Sequence, residues 1–235
     1  MQTEKQIPRI KARYTRNIQA LTAEEVQTLH RQRVCVIGCG GLGGYVVEIL
    51  TRIGVGYITV ADGDVFEESN LNRQLFSSEE VLGQSKAKVA VKRMKAVNSE
   101  TVVRGLEVRL DAENGEEIVK GHDVVIDALD NAPTRLILAD LCKALNLPLV
   151  HGGISGWYGQ VCTILPGDDT MQNLYGCAPK KREALLGNLP FSASLVASLQ
   201  CAECIKLLTG RGRLIRNELL QIDLLRGEFH PIKLR

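Results

Sequence analysis

Three stretches of the sequence carry residue types and spacings that suit phosphate chemistry. The first is Val34-Cys35-Val36-Ile37-Gly38-Cys39-Gly40-Gly41-Leu42-Gly43. A β-branched run leads into G-x-G-x-x-G, and helical periodicity follows. Gly38, Gly40, Gly41 and Gly43 allow a tight turn and let backbone N–H groups approach a phosphate at a helix N-terminus. Asp62 closes the next β-branched run, 19 residues past Gly43, where an acid bonds a ribose hydroxyl. By itself this pattern favours a dinucleotide enzyme. The structural alternative is a turn shaped only for helix–sheet packing.

The second stretch runs from Asp62 to Phe76 and places Asn70, Arg73 and Gln74 close together on a short helical turn. An arginine there can grip phosphate oxygens bidentately. Lys86 follows at the start of the next helix, in Gly83-Gln84-Ser85-Lys86. Each charge alone reads as solvated surface. Together, behind a glycine loop, they suggest a triphosphate held by separate cations. The third stretch is Val124-Val125-Ile126-Asp127-Ala128-Leu129-Asp130-Asn131. Asp130 lies past the end of a buried strand, where open parallel sheets bind ligands, and a carboxylate beside a polyphosphate suits Mg²⁺. Asp130 or Asn131 can also cap the helix that starts near Pro133, so the two roles divide between them. Asp127, inside the strand, reads as structural.

The elements around these stretches alternate. Strands are expected at 34–37, 57–61, 102–108, 124–128 and 147–151, with helices at 42–53, 84–97, 113–120 and 133–145. That rhythm predicts an α/β, doubly wound, Rossmann-like, mostly parallel sheet. Beyond His151 the glycines at 152, 153, 156 and 159 break it. A strand at 160–165, a polar stretch at 166–190, a helix at 191–208 and strands at 219–224 and 228–234 follow. The last two flank an Arg226-Gly227 turn, which predicts a C-terminal antiparallel extension within one domain spanning 1–235. At the other end, Thr22 and Glu25 match a capping box for a helix over 23–31.

Lysine plus arginine number 29 against 27 acidic residues, which disfavours a general nucleic-acid binder. Aromatics at 4% leave few stacking platforms for single strands. No apolar run approaches the ~20 residues of a membrane span, and the polar N-terminus lacks a signal-peptide core. A cytoplasmic chain with no membrane partner is expected. Its seven cysteines are an odd number, and several sit in apolar runs where thiols pack as small hydrophobes.

Taken in order, these motifs resemble the ThiF–MoeB–HesA family, bacterial relatives of ubiquitin-activating enzymes. Arg13-Tyr14-Thr15-Arg16, the Gly38–Gly44 loop, Asp62–Gln74, Gly83–Lys86, Asp127–Asn131, and Ser198-Leu199-Gln200 with Glu203 and Ile205–Gly210 carry the resemblance. It spans about residues 13 to 230. It implies an enzyme that binds Mg-ATP and adenylates the Gly-Gly carboxylate of a small ubiquitin-like sulfur carrier, for thiamine, molybdopterin or related thio-cofactors. Residue by residue, it implies that Asp62 holds the ribose and that Gly41 and the loop contact the nucleotide. Arg73 and Lys86 hold phosphates with Asn70 and Gln74 nearby, and Asp130 binds Mg²⁺ beside Asn131. Segment 1–31 becomes an arm and helix, 32–151 the nucleotide half, and 152–235 the carrier half with a mobile loop at 166–190. The arm, polar and with little reason to fold back on its own sheet, takes Arg16 to the phosphates of the other subunit of a homodimer.

The sequence also departs from the family pattern. Two separated C-x-x-C pairs that hold zinc in many members are missing, so no structural zinc is expected. Cys201 and Cys204, at i and i+3 in a helix, read as packing. The crossing loop holds Cys177, a candidate for thioester or persulfide chemistry beside Lys180-Lys181-Arg182, and adenylation is expected to proceed without it. His151 reads as structural. The alternatives are adenylation of a peptide C-terminus or a tRNA-base carboxylate, an NAD-dependent oxidoreductase, and a non-catalytic scaffold. Arg73, Lys86 and Asp130 have no natural role in the last two.

Overall fold

A computed structural model gives the architecture and describes residues 10–176 and 186–234. The β-branched runs pair into one sheet built from β1 (Arg33–Ile37), β2 (Tyr57–Ala61), β3 (Val102–Leu106), β4 (Val124–Asp127), β5 (Leu149–Ser155), β6 (Tyr158–Ile164), β7 (Glu218–Asp223) and β8 (Glu228–Lys233). Their order is β3-β2-β1-β4-β5-β6-β7-β8. The first five are parallel and the last four run antiparallel from β5 outward. This is the doubly wound sheet with its antiparallel extension that the sequence predicts.

The helices are α1 (Ala23–Leu29), α2 (Gly43–Ile53), α3 (Lys86–Val97), α4 (Gly115–Val119), α5 (Ala132–Ala144), α6 (Thr170–Tyr175) and α7 (Pro190–Thr209). Because β1 is covered on both sides, it is apolar from Val34 to Ile37 rather than alternating. Val34 and Val36 join Val47 and Leu50 of α2 and Cys201 of α7 on one face. Cys35 and Ile37 join Ile118 of α4 and Leu138 of α5 on the other. Thr22 and Glu25 form the expected capping box on α1.

Several expectations change. The strand–helix rhythm does end after His151, but the glycines at 152, 153 and 159 lie inside β5 and β6, whose strands run longer than expected. A Cβ at Gly152 would come within 2.4 Å of Gln200 Cδ, and one at Gly159 within 2.5 Å of Val196 Cγ2. Glycine lets α7 lie close on the sheet there. The polar stretch at 166–190, read as a mobile loop, contains α6, which packs on α5 and buries Met171. The helix α7 is also long and apolar enough by length and composition to cross a membrane. Glu203 and Lys206 interrupt it and hide it from a search for unbroken apolar runs. In the fold α7 lies across β4, β5 and β6 and against α2, with Gln200 and Glu203 buried. Gln200 Nε2 donates to the Asp127 and Val150 carbonyls, and Glu203 Oε2 accepts from Thr163 Oγ1 and the Ile215 amide.

The N-terminal arm folds onto its own chain, against expectation. Residues Ala12–Asn17 form a 3-10 turn with Tyr14 buried. Asn98 Nδ2 donates to the Tyr14 hydroxyl at 2.9 Å, Arg13 bonds Asn98, and Asn17 Nδ2 donates to the Ile53 carbonyl. A Cβ at Gly54 would strike the Tyr14 ring at 2.8 Å. The aromatic ring needs that glycine seat, and this anchors a segment whose composition reads as free.

Candidate active site

Between β1 and β4 the chain's progress across the sheet reverses, and ligands of open α/β sheets bind outside the strand ends at such a point. A cleft of about 620 Å³ opens there. Its floor is the glycine loop after β1 and the Ala128–Asn131 turn after β4. Gly38 has φ +97° and a Cβ on it would sit 2.6 Å from the Ala128 carbonyl oxygen. A Cβ on Gly43 would sit 1.9 Å from the Gly38 carbonyl oxygen. These two glycines shape the turn. Gly40 and Gly41 have only ordinary contacts at that position and line the cleft, leaving it open to a ligand. No side chain caps the first turn of α2; the Gly44 amide is taken by the Gly40 carbonyl, and the positive end of the helix dipole faces an anion in the cleft.

Asp62 fixes this loop. Its Oδ2 accepts from the Cys39 amide at 2.6 Å and its Oδ1 from the Asp64 amide at 2.8 Å. Burial raises the Asp62 carboxyl above its ordinary value, and the two amides and Lys86 act against that rise. Each oxygen keeps a lone pair for a ribose hydroxyl.

The phosphate candidates converge. Arg73 and Gln74 line the cleft with Lys86. Arg73 Nη1 donates to the Ser69 carbonyl and to Asn72 Oδ1, and its stem packs on Gly41. Gln74 is buried with its Oε1 unpartnered. Lys86 is buried at the start of α3, and its Nζ donates to Asp64 Oδ2 at 3.3 Å. Asn70 does not line the cleft. Its Oδ1 accepts from the Glu67 amide at 3.1 Å, closing the turn that presents Arg73.

Asp130 is exposed in the cleft past β4. Asn131 caps α5, its Oδ1 accepting from the Thr134 amide at 3.0 Å. Such a cap contributes about 1 kcal/mol, and it settles which of the two neighbours caps the helix. Mg²⁺ bound through one carboxylate, waters and substrate phosphates asks for an exposed carboxylate beside the phosphate site, and Asp130 fits that demand. Among the described residues no cluster of three or more His, Cys, Asp or Glu could hold a metal without a ligand's help.

Arg16 lies at the far end of α2. Its neighbours Tyr14 and Asn17 contact Gly54 and Ile53, whereas the cleft is at Gly43. Eleven residues of helix separate the two by about 16 Å, beyond an arginine's reach. Cys177 and Lys180–Arg182 lie outside the described residues. Cys201 and Cys204 are buried, their thiols pushed up chiefly by burial, and Cys201 Sγ points to the Val46 carbonyl. They pack α7 on α2.

Residues in the cleft wall and beneath it carry roles the sequence does not reveal. Asp64 pairs with both Lys86 and Arg109. Burial works to raise its carboxyl, but Arg109 and Lys86 outweigh it and hold it below the ordinary value. Arg135, on the first turn of α5, is buried. It donates to the Leu129 carbonyl at 2.5 Å, the Gly152 carbonyl at 3.2 Å and the Tyr175 hydroxyl at 2.9 Å. Its Nε is 3.4 Å from Asp127 Oδ2. Parallel pairing sets Asp127 beside His151, and both are fully buried. His151 Nδ1 donates to Asp127 Oδ2 at 2.7 Å. Burial is the largest influence on each. It lowers His151, which is therefore neutral. On Asp127 it is outweighed by Arg135 and His151, which keep the carboxylate charged. This network braces the turn carrying Asp130.

A sequence model of the ThiF family matches residues 14–235. The chain is 36% identical over 232 residues to the "SAMP-activating enzyme E1" of Haloferax volcanii, covering 95% of this chain and 85% of that one. It is 38% identical over 227 residues to the "Sulfur carrier protein adenylyltransferase" of Thermus thermophilus, covering 90% and 82%. Among solved structures, E. coli MccB with ATP superimposes with TM-score 0.78 at 23% identity, covering 96% of this chain and 72% of that one, a likeness of fold. The chain belongs to the ThiF family.

Proposed function

We propose that the protein is an ATP-dependent adenylyltransferase that activates the C-terminal Gly-Gly carboxylate of a small ubiquitin-like sulfur carrier in the cytoplasm. The observation that carries this reading is the meeting of Arg73, Lys86 and Asp130 around the glycine loop in one cleft. The family membership and the relatives' names support it. An oxidoreductase would leave those three residues without work.

In this reading the phosphates lie over the N-terminus of α2, Asp62 holds the ribose, and the carrier tail enters from the side of Ser155 and Asn188. A carboxylate oxygen attacks the α-phosphorus. The bond from that phosphorus to its bridging oxygen breaks, pyrophosphate leaves, and an acyl-adenylate forms. Negative charge grows on the α-phosphate oxygens, and Arg73, Lys86 and the α2 amides stand fixed where it develops. Removing one such donor costs on the order of 10²–10³ in rate. Asp130 would hold Mg²⁺, which supplies further charge neutralisation when bound. The protein acts as a two-fold dimer in which Arg16 serves the other subunit's phosphates. Its distance from its own cleft supports that arrangement. Adenylation itself needs no cysteine, whatever Cys177 does in a later sulfur step.

Titration calorimetry tests the nucleotide assignment. ATP with Mg²⁺ is expected to bind and NAD is not. Tight NAD binding with ATP inert would contradict the reading.

A further inference from the structure

One charged side chain of the cleft has no part in the phosphate chemistry. Arg109 lies three residues past β3, between Val108 and Leu110, which line the same wall. Its Nη2 and Nε donate to Asp64 Oδ1 at 2.8 and 3.3 Å, while Lys86 takes Asp64 Oδ2. Its stem crosses Gly63, where a Cβ would come within 2.6 Å of Arg109 Cγ. Yet 83% of the Arg109 side chain is exposed. An ion pair so open to water adds little stability.

The direction of a bound nucleotide follows from the residues already placed. Phosphates belong at Gly40, Gly41, Arg73 and Lys86, and the ribose at Asp62 at the end of β2. The base then falls beyond Asp62 on the β3 side, against Val108 and Leu110. Arg109 stands at that end with its guanidinium anchored by one edge and its faces open. We propose that Arg109 is a nucleobase-binding residue whose guanidinium lies on the purine ring of ATP and closes the base end of the cleft, with Asp64 and Gly63 holding it in place. A planar guanidinium stacks flat on aromatic faces, a contact that a compact ammonium does not reproduce. The proposal rests on ATP being the substrate.

The test is calorimetry on the full chain with three ligands: ATP, AMP and inorganic tripolyphosphate. Arg109→Leu is expected to raise the Kd for ATP and AMP by the same factor, about tenfold, and to leave tripolyphosphate unchanged. Arg109→Lys is expected to rescue little of the loss. Arg109→Leu protein that binds ATP like wild type overturns the proposal. So does a parallel loss of tripolyphosphate, which would make Arg109 a phosphate ligand. Wild-type protein that binds tripolyphosphate but not ATP would remove the adenylation reading itself, and this proposal with it.

Discussion

Asp130→Ala is expected to lose more than nine-tenths of its ATP–pyrophosphate exchange while its thermal unfolding stays that of the wild type. The carboxylate sits exposed past the end of β4, and its Oδ1 accepts from the side-chain amide of neighbouring Asn131 at 3.3 Å. It buries no core, and surface changes of this kind shift stability by about 0.5 kcal/mol or less. Its chemical work is different in scale. A metal ion beside a transferring phosphoryl group is worth several kcal/mol of charge stabilisation, and 1.4 kcal/mol is already tenfold in rate. Asp130 is placed for this by elements that cost it nothing. Asn131 takes the cap of α5, and Arg135 grips the Leu129 carbonyl next door. Exchange above about a tenth of wild type in a folded Asp130→Ala protein would remove Asp130 from the metal site.

Mixing Arg16→Ala with Asp130→Ala is expected to restore activity that neither protein has alone. Arg16 lies between Tyr14 and Asn17, which contact the end of α2 remote from the glycine loop, so its own cleft is out of its reach. In a two-fold dimer its partner's cleft is the remaining target. A mixed dimer then holds one site with both residues intact and one lacking both. Random exchange makes half of all dimers mixed, so about a quarter of wild-type activity should return. A silent mixture, with subunit exchange verified by mass, would eliminate the arrangement.

The sequence makes the nucleotide half readable because its signals are local. β1 shows as an unbroken apolar run, the glycine loop shows in six residues, and Asp62 falls at the next strand end. Local signals fail where the partner is remote. Arg109 reaches Asp64 across 45 positions, Arg135 reaches Tyr175 across 40, and His151 reaches Asp127 across 24. Each pairing is fixed by strand register or by a helix docking on the sheet, which no window of sequence displays. The same limit misplaces Gly152 and Gly159, whose meaning is the approach of α7. It also hides the local work of Asn70, whose side-chain oxygen closes its own turn. Tyr14 is a further case: a single aromatic in a polar arm finds its seat at Gly54 and holds the arm down.

Pyrophosphate exchange reports directly on attack of a carrier carboxylate on ATP in this cleft. Purified protein with Mg²⁺, ATP and labelled pyrophosphate should incorporate label into ATP only when a ubiquitin-like carrier ending in Gly-Gly is present. Removing the carrier's last glycine should not abolish the fold of either protein but should abolish exchange. Across a panel of such carriers, absence of exchange with every one, from protein that binds Mg-ATP, would contradict the account.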